Sequence, residues 1–177
     1  YGGKCISVMT DLETGKPYYP DMPRNDRTFQ HLRASCALPL LFPPIEIDGR
    51  LYMDGGISDS VPFEKAIEDG CDKIIVILTH EYGYMRESES VGGLISKVYR
   101  KYPEFCRQAE TRAERYNEKM LRLMKLREEG KAFVFYPKKE LLVNRTENDP
   151  DKLKRLYDYG FRHAMWAQKA LKKYLEK

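Results

Sequence analysis

Ile45-Glu46-Ile47-Asp48-Gly49-Arg50-Leu51-Tyr52-Met53-Asp54-Gly55-Gly56 holds two short apolar runs, a two-residue break and a terminal glycine pair. Asp-Gly between such runs predicts a β-hairpin, because a tight hairpin turn needs positive φ and glycine adopts it freely. Asp54-Gly55-Gly56 then ends the second strand. Two glycines after an aspartate let the backbone turn sharply and leave space beside the carboxylate. A nucleophile from elsewhere can then come within hydrogen-bonding distance. A carboxylate so placed can take a proton from a hydroxyl and return it to a leaving group. By itself the triplet is more simply read as a turn closed by an Asx-type side-chain bond.

Upstream of the hairpin, Cys5 to Thr10 reads as a strand closed by the turn signal Glu13-Thr14-Gly15-Lys16-Pro17. Thr28 to Ala37 suits a short helix that stops before Pro39, which cannot continue it. Phe42-Pro43-Pro44 makes a proline-rich turn. Downstream, Ser60 is placed to cap a helix with Pro62 in its first turn, running towards Asp69 with Gly70 at its end. Ile74 to Leu78 is apolar without alternation, the pattern of a strand covered on both faces in a parallel sheet. Ala132 to Tyr136 is a second such strand. Between them Phe105, Ala109, Ala113, Tyr116, Met120, Leu123 and Met124 fall on one stripe at helical spacing, which predicts a long core-facing helix ended by Gly130. A last helix has Asp149 as its cap and Pro150 at its first position. Its expected apolar face is Leu153, Leu156, Tyr157, Gly160, Ala164 and Leu171.

This alternation predicts the α/β class, with three layers: a mostly parallel central sheet flanked by helices. A chain of 177 residues fits one domain or a large piece of one. Residues 1–80 form the strand, hairpin and Asp-Gly-Gly region. Residues 90–177 are mainly helical, with one strand near 132–136.

Hydrophobic residues are 42% and charged residues 33%, which indicates a core-forming chain. No apolar run reaches the ~20 residues of a membrane helix. Cys5, Cys36, Cys71 and Cys106 stand far apart, without C-x-x-C or a histidine at metal spacing. They are expected to be buried free thiols in a reducing, cytoplasmic setting. No metal or organic cofactor is implied. The net charge of +4 resides mostly in the C-terminal third, where Lys and Arg alternate with Glu. Such a pattern is a solvated helix face rather than a nucleic-acid surface. Transient attraction to an anionic membrane surface is compatible with it.

The order of these elements resembles the patatin-like phospholipase family, bacterial members above all. The matching stretch is RASCALPLLFPPIEIDGRLYMDGGISDSVP at residues 33–62, followed by the helix and the Ile74–Leu78 run. VMTDLETGK at residues 8–16 also looks like this family. Lys101-Tyr102-Pro103, Arg115-Tyr116-Asn117 and the 132–137 strand resemble the tail of bacterial members more loosely. The resemblance implies a serine acyl-ester hydrolase acting on lipid or other esters through a Ser-Asp pair. Asp54 would be its acid and base, with Gly55 and Gly56 shaping the site. It also implies a Gly-rich oxyanion loop and a G-x-S-x-G nucleophile, both upstream of the matched region in the family. No serine of these 177 residues has that frame.

Ser35 lacks the flanking glycines of a nucleophile elbow. Ser58 and Ser60 suit loop or cap roles. His80 follows a strand, where some triad hydrolases hold their base, yet the family pairs serine directly with aspartate. His31 and His163 fit helical patterns, and Arg33 fits a helix surface or an anion contact. The chain is therefore expected to be the C-terminal portion of one hydrolase domain, its sheet incomplete because the N-terminal half is absent, and inactive by itself. An unpaired sheet edge would then favour a homodimer. The competing expectations are a non-catalytic interaction module of the same fold and a basic peripheral membrane adaptor.

Overall fold

The computed structural model describes residues 3–24, 27–87, 91–138, 143 and 147–176. The chain divides into two compact units. The first comprises Tyr1–Pro62 and Met85–Lys119, the second Phe63–Tyr84 and Met120–Lys177.

The first unit is built on a four-stranded antiparallel sheet. Its strands are β1 (Met9–Asp11), β2 (Pro17–Tyr18), β3 (Ile45–Ile47) and β4 (Arg50–Asp54), in the order β2-β1-β4-β3. The Asp-Gly hairpin is present: Ile47 pairs with Arg50, Asp48 has φ 50° and Gly49 φ 76°. Two successive positive φ values match the right-handed twist of the flanking strands. The β1–β2 connection turns at Gly15, where φ is 64° and an added Cβ would lie 2.6 Å from the Glu104 carbonyl oxygen. Asp11 Oδ1 closes that turn by accepting from the Thr14 N–H and hydroxyl. β1 is shorter than the expected Cys5–Thr10 strand. Upstream of it the chain pairs irregularly, with a bridge between Ile6 and Asp21 and the Met22 N–H on the Cys5 carbonyl.

Helix α1 (Gln30–Ser35) packs Ala34 with Met9, Ile47 and Tyr52. A second cluster joins Leu12, Ala37, Met53 and Ile57 to Ile95 of α3 (Val91–Val98) and to Phe105 and Cys106 of α4 (Pro103–Glu110). The long helix expected across residues 105–124 is broken at Thr111, which caps α4 before α5 (Arg112–Glu128) begins. The core stripe survives the break: Phe105, Tyr116, Met120 and Leu123 are all buried.

The second unit contains α2 (Phe63–Glu68), β5 (Ile74–Ile77), the later turns of α5, β6 (Ala132–Phe135) and α6 (Pro150–Leu175). β5 and β6 pair in parallel, Ile74 opposite Ala132. Parallel pairing needs a long crossover, and residues 78–131 supply it. The α/β class is thus found, with the parallel pairing at β5–β6. The larger sheet is antiparallel: tight turns reverse the chain between β1 and β2 and between β3 and β4, and the two hairpins meet antiparallel at β1 and β4.

Three further expectations change. β5 is covered on one face only, for Ile75 is 43% and Ile77 76% exposed. The face of α6 carrying Leu153 and Tyr157 is exposed too, while Tyr174 of the same helix is buried. Of the cysteines, which are free, Cys106 alone is buried; its thiol faces the Tyr99 carbonyl. The α6 cap is as expected: Asp149 Oδ1 accepts from the N–H groups of Asp151 and Lys152. No helix among the described residues is long and apolar enough to cross a membrane.

Candidate active site

Asp54 is the last residue of β4, opposite Met9 of β1, and the cap of a 3-10 turn at Gly55–Ile57. Its backbone is held on both sides. The Asp54 N–H donates to the Ala37 carbonyl at 3.0 Å, and its carbonyl accepts from Thr10 Oγ1 at 2.8 Å. Its side chain is oriented locally, with Oδ1 accepting from the Gly56 N–H at 2.6 Å. The Asx-type turn foreseen from the triplet therefore forms. It does not compete with a chemical role, because it fixes the direction in which the carboxylate points.

Each glycine has its own steric reason. A Cβ on Gly55 would stand 2.2 Å from the Val8 carbonyl oxygen, so the chain entering β1 packs directly against bare backbone. A Cβ on Gly56 would stand 2.9 Å from Asp54 Oδ1 and 3.3 Å from Arg112 Nη2. Gly55 thus lets the strand close, and Gly56 lets the carboxylate fold back onto its amide.

The polar groups after the turn are bound. Ser58 Oγ lies 2.8 Å from Thr10 Oγ1, and Ser60 Oγ donates to the Gly56 carbonyl at 2.8 Å. Ser58 has the loop role read from the sequence, whereas Ser60, expected as a helix cap, bonds back to Gly56 and α2 begins only at Phe63. Asp59, 6% exposed, accepts from Tyr19 Oη at 2.7 Å and pairs with Lys119 Nζ at 2.6 Å. Arg112 Nε donates to the Gly56 carbonyl at 2.7 Å. Arg115 donates to the carbonyls of Ser58, Ile57 and Gln108. Burial lowers the Arg115 guanidinium below the usual arginine range, and the nearby Asp59 charge opposes that shift.

Thr10, Asp59, Arg112, Arg115 and Lys119 were not singled out by their sequence context. The available signal was the spacing of Arg112, Arg115 and Lys119, which puts three cations on one helix face. Ser35 ends α1, and Arg33 is an exposed residue in its last turn. In the second unit His80 stacks on Tyr84 at 3.8 Å between centroids, and His163 meets the Phe135 ring edge-on.

The comparisons with known proteins fall on this geometry. Residues 5–67, which include Asp54, match the family model of patatin-like phospholipases. Residues 102–176, which begin just before α4, match a domain of unknown function, DUF6363. Uncharacterized NTE family proteins of Mycobacterium bovis and Mycobacterium tuberculosis are 35% identical over 85 residues, 47% of this chain and 23% of theirs. The uncharacterized protein YjjU of Escherichia coli is 34% identical over 59 residues, 33% of this chain and 16% of its own. The chain thus spans less than a quarter of the length of these curated relatives. Residues 5–67 are therefore similar to part of the patatin-like phospholipase family, as the order of their motifs implied.

Proposed function

We propose that Asp54 is the acid–base carboxylate of a patatin-like serine hydrolase that cleaves lipid esters. The observation that carries the proposal is the Asp54-Gly55-Gly56 turn itself. A carboxylate at a strand end is aimed by a 2.6 Å bond from Gly56, inside a segment matching a phospholipase family.

In this mechanism a serine outside these residues attacks the ester carbonyl, and Asp54 takes its hydroxyl proton. Backbone N–H groups, also outside these residues, hold the oxyanion. Asp54 then passes the proton to the departing alcohol, leaving an acyl-enzyme. Water repeats the cycle: Asp54 takes its proton as it attacks and returns it to the serine as the acid leaves. The Asx bond keeps Oδ1 in one place through both half-reactions, which holds the entropy of the carboxylate low before reaction begins.

The exposed free thiols at Cys5, Cys36 and Cys71 support a reducing, cytoplasmic setting. Two partner surfaces belong to the same proposal. Among the described residues β5 and β6 each pair on one side, which supports a homodimer through a sheet edge. The basic residues of α6 beside exposed Tyr157 and Phe161 support transient contact with an anionic membrane surface.

The test is hydrolysis of 4-nitrophenyl butyrate by the intact protein carrying these residues. Asp54→Asn is expected to lower kcat by about a thousandfold, within the range of a lost general acid–base group. An unchanged rate removes Asp54 from the chemistry. Turnover by the 177-residue chain alone would show that the nucleophile lies within it.

A further inference from the structure

A short helical turn ends with carbonyls that have no partner within it, and water normally takes them. After Asp54 they are taken by one face of α5. Arg112 bonds the Gly56 carbonyl, Arg115 those of Ile57 and Ser58, and Lys119 the Asp59 carboxylate. Cations at helix positions i, i+3 and i+7 thus meet four consecutive residues of the turn. Arg115 is the anchor of this row. It also bonds the Gln108 carbonyl and Thr111 Oγ1, which fastens the turn to the junction of α4 and α5.

Arg112 acts closest to the carboxylate. Its Nε holds the carbonyl of Gly56 together with Ser60 Oγ, and the N–H of the same glycine holds Asp54 Oδ1 at 2.6 Å. Gly56 lacks a side chain to restrict it, so its two dihedrals would otherwise be free. Bonds at both its N–H and its carbonyl remove that freedom. Arg112 belongs to the 102–176 segment, whereas Asp54 and Gly56 belong to the 5–67 segment.

We propose that Arg112 is a positioning residue for Asp54, and that the 102–176 segment is thereby built into the hydrolytic site as the brace of its Asp-Gly-Gly turn. This rests on the acid–base role of Asp54 given above. The brace orders Gly56, Gly56 orients the carboxylate, and the segment of unknown function contributes to turnover without touching substrate.

The experiment uses the intact protein with Arg112→Met, which keeps the aliphatic stem and removes the donor, and Arg112→Lys, which restores one. Amide exchange at Gly56 is read by NMR, and 4-nitrophenyl butyrate hydrolysis gives kcat and KM. In Arg112→Met, Gly56 exchange is expected to accelerate about tenfold, the scale of one lost hydrogen bond to a charged group. The amides of β1 and β4 should keep their rates. kcat should fall about tenfold at constant KM, and Arg112→Lys should recover most of both changes. Unaltered Gly56 exchange in Arg112→Met overturns the brace. Asp54→Asn, run in parallel, separates the two claims. If it abolishes turnover while Arg112→Met keeps full kcat, the positioning role falls and the acid–base role stands. If Asp54→Asn keeps its rate, the acid–base role falls, and with it the claim that Arg112 serves it.

Discussion

The two units differ in what they bury. The first closes around polar groups. Thr10 and Asp11 are buried in its sheet, Asp59 lies under Lys119 and Tyr19, and the cavity beside Ile57 and Arg112 measures about 20 Å³, room for one water. Both units expose some apolar side chains, Phe29, Leu41 and Phe42 in the first among them, but the second has none of these buried polar groups and gathers its own around an open cleft. Ile77, Tyr157, Phe161 and Trp166 are all more than half exposed, and a cleft of about 400 Å³ opens among Ile77, Phe135, Leu156 and Ala164. Buried polar groups stabilise only when every partner is present, so the first unit is finely specified and intolerant of change. The second gains its stability from one buried layer, and its exposed apolar face contributes little to its own folding. Substitutions should therefore cost far more in the first unit than in the second.

The largest effect is expected at Gly55. Alanine there would drive a methyl to 2.2 Å from the Val8 carbonyl oxygen, and backbone on both sides prevents relief. Gly55→Ala should destabilise by at least about 4 kcal/mol, the extreme range for single substitutions. Chemical denaturation of the intact protein measures this. A loss below about 1 kcal/mol would mean that β1 yields easily, and the contrast between the units would fail.

Next comes the buried ion pair of the first unit. Lys119→Met deprives the Asp59 carboxylate, whose side chain is 4% exposed, of its ion pair and leaves it the neutral donors Tyr19 Oη and the Val61 N–H. The expected cost is about 3 kcal/mol, as for other buried charges deprived of a partner. Adding Asp59→Asn to Lys119→Met should return most of that loss, since the stranded charge is then gone. A double variant no more stable than Lys119→Met would show that Lys119 acts through its stem rather than its charge.

These two sites also mark what a sequence discloses. The hairpin at Asp48-Gly49 and the turn at Asp54-Gly55-Gly56 were legible because φ demands are local and glycine states them openly. β5 and β6 were legible as strands from their apolar runs. The exposure of Ile75 and Ile77 was not, because what covers a strand is a matter of packing rather than composition. The brace was hidden for a different reason. Arg112 and Gly56 are 56 residues apart, and an arginine that holds a carbonyl is spelled like one that faces water. Asp59 shows the same ambiguity, since only its burial separates it from an ordinary loop aspartate.

In the second unit the sharpest point is Tyr174, whose hydroxyl accepts from the Ile74 N–H at 3.0 Å and bonds the Lys131 carbonyl at 2.9 Å. One α6 side chain thus pins β5 and the entry to β6. Tyr174→Phe should cost about 1–2 kcal/mol, the penalty of a buried amide left unpaired. A larger loss would make α6 as finely specified as the first unit.

The smallest effect concerns pH at the start of α6. The bonds from the Lys152 and Asp151 amides hold the Asp149 carboxyl below its ordinary value, and Lys152 adds to the shift. A carboxyl depressed in the folded state contributes stability that is fully present above its unfolded value. That contribution is lost as pH falls through the folded value, so the window lies at and below the usual aspartate range. Glu147, depressed mainly by the Asp149 amide and then by Lys152, titrates in the same sense. Amide exchange at Asp151 and Lys152, corrected for its intrinsic pH dependence, should show loss of protection on acidification through that window. In Asp149→Ala that pH step should shrink strongly, while protection of Ile74 and Val134 stays as it was. The cap is exposed, so its loss frays the first turn of α6 and leaves the Tyr174 anchor, six turns further on, in place.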